Sequence, residues 1–219
     1  MNAAVSLDPS IVIPLRPLRR WAARSGREFP WRASSGYELA VAEVLLQKTR
    51  GEAVIPVWRT LVERFPTAAA LADCDRGEVR GIVAPLGLKD QRSDRLIAMS
   101  AAWPISSTDG CLPGLGSYGA GVVLLADGFD APVPPVDGNM ARVVSRFFGW
   151  TFETGEARKK PQVRGAVART LRRARASKLS LLLALVDLGA LVCLPRNPDC
   201  TDCPLSPFCV SASLQETMP

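Results

Sequence analysis

Apolar residues along this chain recur at intervals of three and four. The stretches "YELAVAEVLLQKT" (37–49), "AVIPVWRTLVERF" (53–65), "DRLIAMSAAW" (94–103) and "GAGVVLLADGF" (119–129) all follow that spacing. It is the repeat of a helix with one buried face. Period-two alternation with β-branched residues is almost absent, and short Gly, Pro, Ser and Asp punctuators separate the periodic segments. The pattern predicts an all-α protein with many helices on short connections. No repeat, low-complexity segment or strong composition break divides the chain, so any division into lobes must come from its motifs.

With 219 residues and 47% hydrophobic content, the chain can bury a substantial core as one large domain or two small ones. The N-terminus lacks the charged-then-apolar layout of a signal peptide. The most apolar run, "LSLLLALVDLGALVCL" (179–194), is interrupted by Asp187 and is short for a bilayer. These features predict a soluble cytoplasmic protein, where thiols stay reduced. Net charge is +6 and histidine is absent, so acid–base chemistry falls to carboxylates, Tyr, Lys, Cys or water. Basic charge is concentrated between Arg158 and Lys178, where nine Lys or Arg occur in 21 residues without an acid. That stretch reads either as a solvated basic helix or as a surface for a polyanion such as DNA.

Four of the six cysteines fall within 17 residues, as Cys193, Cys200, Cys203 and Cys209 in "CLPRNPDCTDCPLSPFC". Zinc ribbons usually pair two C-x2-C knuckles across a longer gap, whereas here one C-x2-C has a cysteine on each side. A compact four-thiolate loop suits a cubane [4Fe-4S] cluster, with zinc as the alternative. Four thiolates leave no evident open position, so the expected role is to staple a loop too small to fold on its own core. Cys74 and Cys111 stand alone and read as packing residues.

A second motif, "LPGLGSYGAGVV" (112–123), joins a turn to an apolar helix. Gly114 and Gly116 permit positive φ and close backbone approach, and the N–H groups from Ser117 onward can hold a phosphate oxygen. The preceding "ISSTDGC" (105–111) makes a poor helix, so the first arm of this hairpin is expected to be short or irregular.

Three features occur in order: "YELAVAEVLLQKT", then "LPGLGSYGAG…PVPPVDGNMARVVSRFFG", then the cysteine loop after "LVDLGALVC". Together they resemble the helix-hairpin-helix, Gly/Pro-rich–Asp superfamily of DNA glycosylases that carry an iron–sulfur loop. The resemblance runs from about Pro30 to Cys209, and it also touches adenine DNA glycosylase and endonuclease III. Within the superfamily, "EVLLQKTRGEAV", "LGLKDQRSDRL" and Tyr118 look most like thymine-DNA mismatch glycosylases. The resemblance implies two helical lobes, a barrel at about 39–135 and a second lobe of 1–38 with 136–219 and the cluster. It implies double-stranded DNA with a mismatched or damaged base lying across a cleft, the target nucleotide flipped into it. A nucleoid-associated monomer without a membrane partner is expected.

Cleaving a glycosidic bond in a duplex requires extrusion of the base, and the oxocarbenium-like transition state needs a nearby carboxylate. Asp137 in "PVDGN" matches the superfamily's catalytic aspartate, while its place before "GNMARVVSRFF" also makes it a good helix N-cap. Tyr118 occupies the position where bifunctional members carry a lysine nucleophile. A phenol forms no Schiff base, so the resemblance implies a monofunctional enzyme without lyase activity. Packing, with the ring capping an apolar pocket, is the alternative reading of Tyr118. Glu43 matches the residue that contacts the flipped base, against a solvent-facing helix position as the ordinary reading. Gln47, a turn later, matches the residue that wedges into the gap left by flipping, though a surface Gln is equally consistent. Asn139 and Arg142 are expected near DNA phosphates or the cap, and Arg146 at a lobe interface or a phosphate.

Removal of thymine or uracil opposite guanine is the first reading. The second is removal of mispaired adenine, for which Glu43 and "VDGN" speak. Adenine glycosylases acting opposite oxidised guanine usually carry an extra C-terminal domain, and this chain ends ten residues after Cys209, which argues against that reading. Another damaged base and a non-catalytic DNA-binding module are the remaining alternatives.

Overall fold

A computed structural model describes residues 8, 10–34, 36–105, 111–152, 157–174 and 178–216. Among them the chain is helical and contains no strand. Backbone contacts divide it into two compact units, residues 28–135 and residues 1–27 with 136–219. The expected first arm of the hairpin falls largely on residues 106–110, outside the described residues.

The unit of residues 28–135 contains α2 (Gly36–Leu45), α3 (Gly51–Arg64), α4 (Ala68–Ala72), α5 (Arg76–Val83), α6 (Lys89–Ala101) and α7 (Ser117–Ala126). Helix α6 packs on α2, α4 and α5, and α2 packs on α3 and α7. Both α2 and α7 are apolar almost all round and are buried along most of their length, as expected of central helices. Residues 28–38, which the resemblance assigns to the other lobe, belong here. The reason is aromatic packing: Phe29 stacks on Trp31 with ring centroids 4.9 Å apart, and Trp31 meets Trp58 edge-on at 5.8 Å. Gly51 leaves room for the Phe29 ring, which a Cβ there would approach to 2.5 Å.

The other unit contains α1 (Leu15–Ser25), α8 (Gly138–Phe148), α9 (Pro161–Ala174), α10 (Lys178–Leu191) and α11 (Val210–Glu216). Helix α8 shows how sequence makes this core. Met140, Val143, Val144, Phe147 and Phe148 lie on its buried face, and Asn139, Arg142 and Arg146 lie off it. Asp137 caps its start, and Gly149 ends it in a left-handed conformation with φ 74°. Helix α8 packs chiefly on α10, and α1, α9 and α11 surround the pair.

The N-terminal segment is fastened to α10 by a buried ion pair. Asp187, 1% exposed, accepts hydrogen bonds from Arg27 Nε at 2.8 Å and from the Arg27 backbone N–H at 3.0 Å. The acid that interrupts the apolar run 179–194 is therefore a structural anchor. No helix among the described residues is long and apolar enough to cross a membrane. Truncating Arg27 removes a hydrogen-bonded positive charge from beside a buried carboxylate, so Arg27→Ala is expected to lower unfolding stability by about 3 kcal/mol in urea titration at neutral pH. A loss within about 0.5 kcal/mol, typical of a surface change, would contradict this anchoring role.

Candidate active site

Within the unit of residues 28–135, a cavity of about 490 Å³ is lined by Glu43, Gln47, Arg95, Gly114, Leu115, Gly116, Tyr118 and Gly119. Five residues expected from sequence thus meet on one surface: Glu43, Gln47, Gly114, Gly116 and Tyr118. Glu43 sits near the end of α2, and Tyr118 in the first turn of α7. Gly119 brings the two helices together, since a Cβ there would lie 3.3 Å from Glu43 Cβ. Carboxylate and phenol thereby share one wall of the cavity.

The glycine hairpin differs from expectation in one detail. Gly114 has φ 77°, and a Cβ there would meet the Arg95 carbonyl oxygen at 2.7 Å, so this position requires glycine. Gly116 has an ordinary φ of −76° and open space where a Cβ would be. It caps α7 without a side-chain hydrogen bond, and both it and Ser117 are exposed. The amides at such a helix start are suited to an anion.

Gln47 is also placed differently. Helix α2 ends at Leu45, and Gln47 lies in the following turn, next to Lys48 with φ 58°. Its Nε2 donates to Gly114 O at 2.7 Å and its Oε1 accepts from Arg95 Nη1. The side chain expected to wedge into DNA is tethered to the hairpin. Leu88 has the opposite character: it is 55% exposed, with φ 51°, and follows Gly87 at φ 72°. An apolar side chain at a left-handed, exposed tip is a strained arrangement that elsewhere marks function.

Leu88, Arg92 and Arg95 carry no role in the sequence reading. Helical spacing suggests that the acids of α6, Asp90 and Asp94, pair with their own helix's arginines. They pair instead with Arg76 and Arg80 of α5, which leaves Arg92 and Arg95 to the neighbouring turns.

In the other unit, Asp137 is partly buried at the start of α8, and its two oxygens have different partners. Oδ1 accepts from the Met140 backbone N–H at 2.7 Å, and Oδ2 accepts from Asn139 Nδ2 at 3.1 Å. Burial pushes its pKa up, opposed by those two hydrogen bonds and by the positive charges of Arg142 and Arg27. The helix cap and a carboxyl whose pKa is raised by burial therefore coincide in one residue. Asn139 in turn accepts from Arg142 Nη2 at 3.0 Å. Arg142, expected to reach DNA, points into its own unit: Nε donates to Cys193 O at 2.7 Å and Nη2 to Gly189 O at 2.6 Å. Gly189 lets α10 approach the first turn of α8 closely, because a Cβ there would lie 2.7 Å from Asn139.

Arg146, one turn later, donates to Leu194 O at 2.6 Å and Pro195 O at 2.9 Å, and its Nη1 lies 3.4 Å from Cys193 Sγ. It braces the cysteine loop. None of the loop's four cysteines is in a disulfide. The thiols are near enough to act on one another, as the thiols of Cys193, Cys209 and Cys200 all raise that of Cys203, which burial pushes to about 11. No group of three or more His, Cys, Asp or Glu among the described residues is arranged around a single metal ion. The approach of Arg146 to Cys193 suits sulfur carrying negative charge.

The basic stretch occupies a short 3₁₀ turn (Ala157–Lys159) and α9. Val163, Ala166, Val167 and Leu171 face inward, and Arg172 and Arg173 are exposed. Residues 175–177 of that stretch lie outside the described residues.

Comparison with known proteins gives this arrangement its context. The thymine-DNA glycosylase of Aeropyrum pernix is 32% identical over 212 residues, spanning 89% of this chain and 92% of the relative. An adenine DNA glycosylase of Mycolicibacterium smegmatis is 32% identical over 200 residues, spanning 86% of this chain and 66% of the relative. The fold matches the solved structure of a thermostable thymine-DNA glycosylase with a TM-score of 0.77 at 22% identity, over 91% of this chain and 95% of that one. Residues 41–164 match the family model for HhH-GPD superfamily base excision DNA repair proteins. A glycine hairpin opening α7 and an aspartate opening α8 both lie inside that match, and the chain belongs to this superfamily.

Proposed function

We propose that this protein is a monofunctional DNA glycosylase that removes thymine or uracil mispaired with guanine from double-stranded DNA. The observation that carries the reading is Asp137, a partly buried carboxylate with both oxygens oriented at the first turn of α8. As the bond between C1′ and the base nitrogen lengthens, positive charge develops on the sugar. An ionised Asp137 stabilises that charge and takes a proton from the water that adds to C1′. The departing base carries the bonding electron pair away. Glu43 and Tyr118, in the cavity they line, offer a carboxyl and a phenol to hydrogen-bond the edge of an extruded base. Tyr118 offers a phenol where a lyase needs an amine, so the product is an intact abasic site. The α7 amides from Ser117 onward hold a DNA phosphate, and the exposed arginines of α9 add sequence-independent affinity.

Leu88 fits the role of wedge better than Gln47 does. An apolar, exposed tip can fill the space vacated by a flipped nucleotide, whereas the Gln47 amide is bound to Gly114 and Arg95. Cys193, Cys200, Cys203 and Cys209 hold a [4Fe-4S] cluster as thiolates, and that cluster supplies a rigid cross-link and a redox-capable centre when bound. Arg142 and Arg146 fasten this loop to α8. A second reading, removal of mispaired adenine, draws on Glu43 in the cavity, a carboxyl able to protonate a purine ring nitrogen.

The reading is tested with duplexes carrying G·T, G·U, adenine opposite guanine or oxidised guanine, and oxidised pyrimidines, scored before and after alkali. Strand breaks in G·T and G·U duplexes only after alkali are expected. Cleavage of adenine duplexes alone would favour the second reading, and tight binding without base release from any duplex would leave only a binding module. Asp137→Asn should bind the same duplexes while lowering the single-turnover rate by about 100-fold or more; full activity would remove Asp137 from the mechanism.

A pH profile follows from the direction of the Asp137 shift. Burial favours the neutral acid, so protonation begins above the ordinary aspartate range as pH falls. The acid limb of the single-turnover rate should therefore have its midpoint above about 4. A rate that stays flat below that point would show that no raised carboxyl controls the step.

Protein purified without oxygen should contain about four iron and four sulfide per chain, with brown visible absorbance. Cys203→Ser should lose most of both. Stoichiometric zinc in place of iron would overturn the cluster assignment.

A further inference from the structure

Arg92 is 3% exposed and sits in the second turn of α6. Its guanidinium donates to five acceptors in two chain segments that lie far apart in sequence. Nη1 reaches Leu45 O at 2.7 Å and Val44 O at 3.3 Å, and Nη2 reaches Gln47 O at 3.0 Å and the hydroxyl oxygen of Thr49. Nε reaches Gly87 O at 3.0 Å. The first group belongs to the end of α2 and the turn through Lys48; the second is the turn that presents Leu88.

Left-handed φ angles occur at three non-glycine residues among those described: Lys48, Leu88 and Asn197. Two of the three, Lys48 and Leu88, lie in the turns that Arg92 joins. Neither turn has a regular ladder to hold it, and strained backbone persists only where its surroundings over-determine it. A planar fork with five N–H donors in fixed directions can do this; an ammonium offers three donors from one point. Burial and the charge of nearby Arg95 both work against the cation, lowering its pKa. The carbonyl dipoles gathered around it offset that penalty.

We infer that Arg92 is a positioning residue for base extrusion. Its guanidinium fixes the height of the Leu88 tip against the turn that carries Gln47, and hence against the cavity. This rests on the wedge role of Leu88 proposed above. Arg92 touches neither DNA nor the reacting atoms. It acts through the two turns, so its loss should uncouple extrusion from binding.

The test uses the full-length protein and a duplex with 2-aminopurine beside the G·T or G·U pair, whose fluorescence rises on unstacking. Arg92→Lys, Arg92→Met and Leu88→Ala are compared with the parent by duplex affinity, fluorescence rise at saturating protein, and single-turnover base release. Measurements are made well below each variant's unfolding temperature, with matching circular dichroism. Both Arg92 variants and Leu88→Ala are expected to keep duplex affinity within about threefold and lose most of the fluorescence rise. Base release should fall about tenfold or more, with Arg92→Lys intermediate. The double variant Arg92→Met with Leu88→Ala should be no worse than the poorer single one, because the two act as a unit.

If the parent leaves 2-aminopurine dark, or Leu88→Ala extrudes as well as the parent, the wedge reading fails, and Arg92 with it. If Leu88→Ala is impaired while folded Arg92→Met and Arg92→Lys match the parent, only the Arg92 inference fails. Additive losses in the double variant would likewise refute it. Should Arg92→Met not fold, Arg92→Lys and Thr49→Val, which removes one acceptor, carry the same comparison.

Discussion

The hydrogen-bonded first turn of α8 is the constraint on which the rest depends. Heterolysis of a glycosidic bond is eased by negative charge held where positive charge will form. Asp137, the carboxylate proposed for that role, is held in place because it is also the helix cap. The Met140 amide fixes one oxygen and Asn139 the other, while burial discourages solvation of either. Asn139 is itself held by Arg142, and Arg142 ends on the carbonyl of Cys193. The orientation of one carboxylate thus depends on the loop that gathers four thiols.

The protein has no histidine, and its interior polar organisation falls to arginines. Arg142 and Arg146 tie the cysteine loop to α8, Arg27 ties the N-terminal segment to α10, and Arg92 ties two turns to α6. Except for the Asp187 pair, these guanidiniums bond mainly to backbone carbonyls rather than to carboxylates. Such contacts gain little net stability after desolvation, but they are directional. Their product is geometry: backbone that lacks helix or sheet partners is held in one conformation by side chains that cannot rotate without losing several hydrogen bonds together.

The cavity in residues 28–135 follows from small residues rather than large ones. Gly119 lets α7 approach Glu43, and Gly114 lets the hairpin turn against Arg95. The apolar bulk of α2 and α7 is buried, and the polar groups near their ends, Glu43 and Tyr118, line the cavity.

Much of this was legible in the sequence because it is local. The three-and-four spacing determined the helices, the C-x6-C-x2-C-x5-C spacing determined the thiol loop, and "VDGN" before an apolar period placed Asp137 at a helix start. The meeting of Glu43, Tyr118 and the glycine hairpin was legible only through resemblance, since no local rule brings residues 43 and 118 together. Tertiary structure alone decided the rest. Gln47 fell beyond the end of its helix and was tethered, Arg142 turned toward Cys193 rather than outward, and Leu88, Arg92 and Arg95 took places that no periodicity marks. Period and cap are properties of neighbours along the chain, which short-range sterics and hydrogen bonding set. The direction of a long polar side chain is chosen by acceptors tens of residues away, whose positions exist only once the helices have packed.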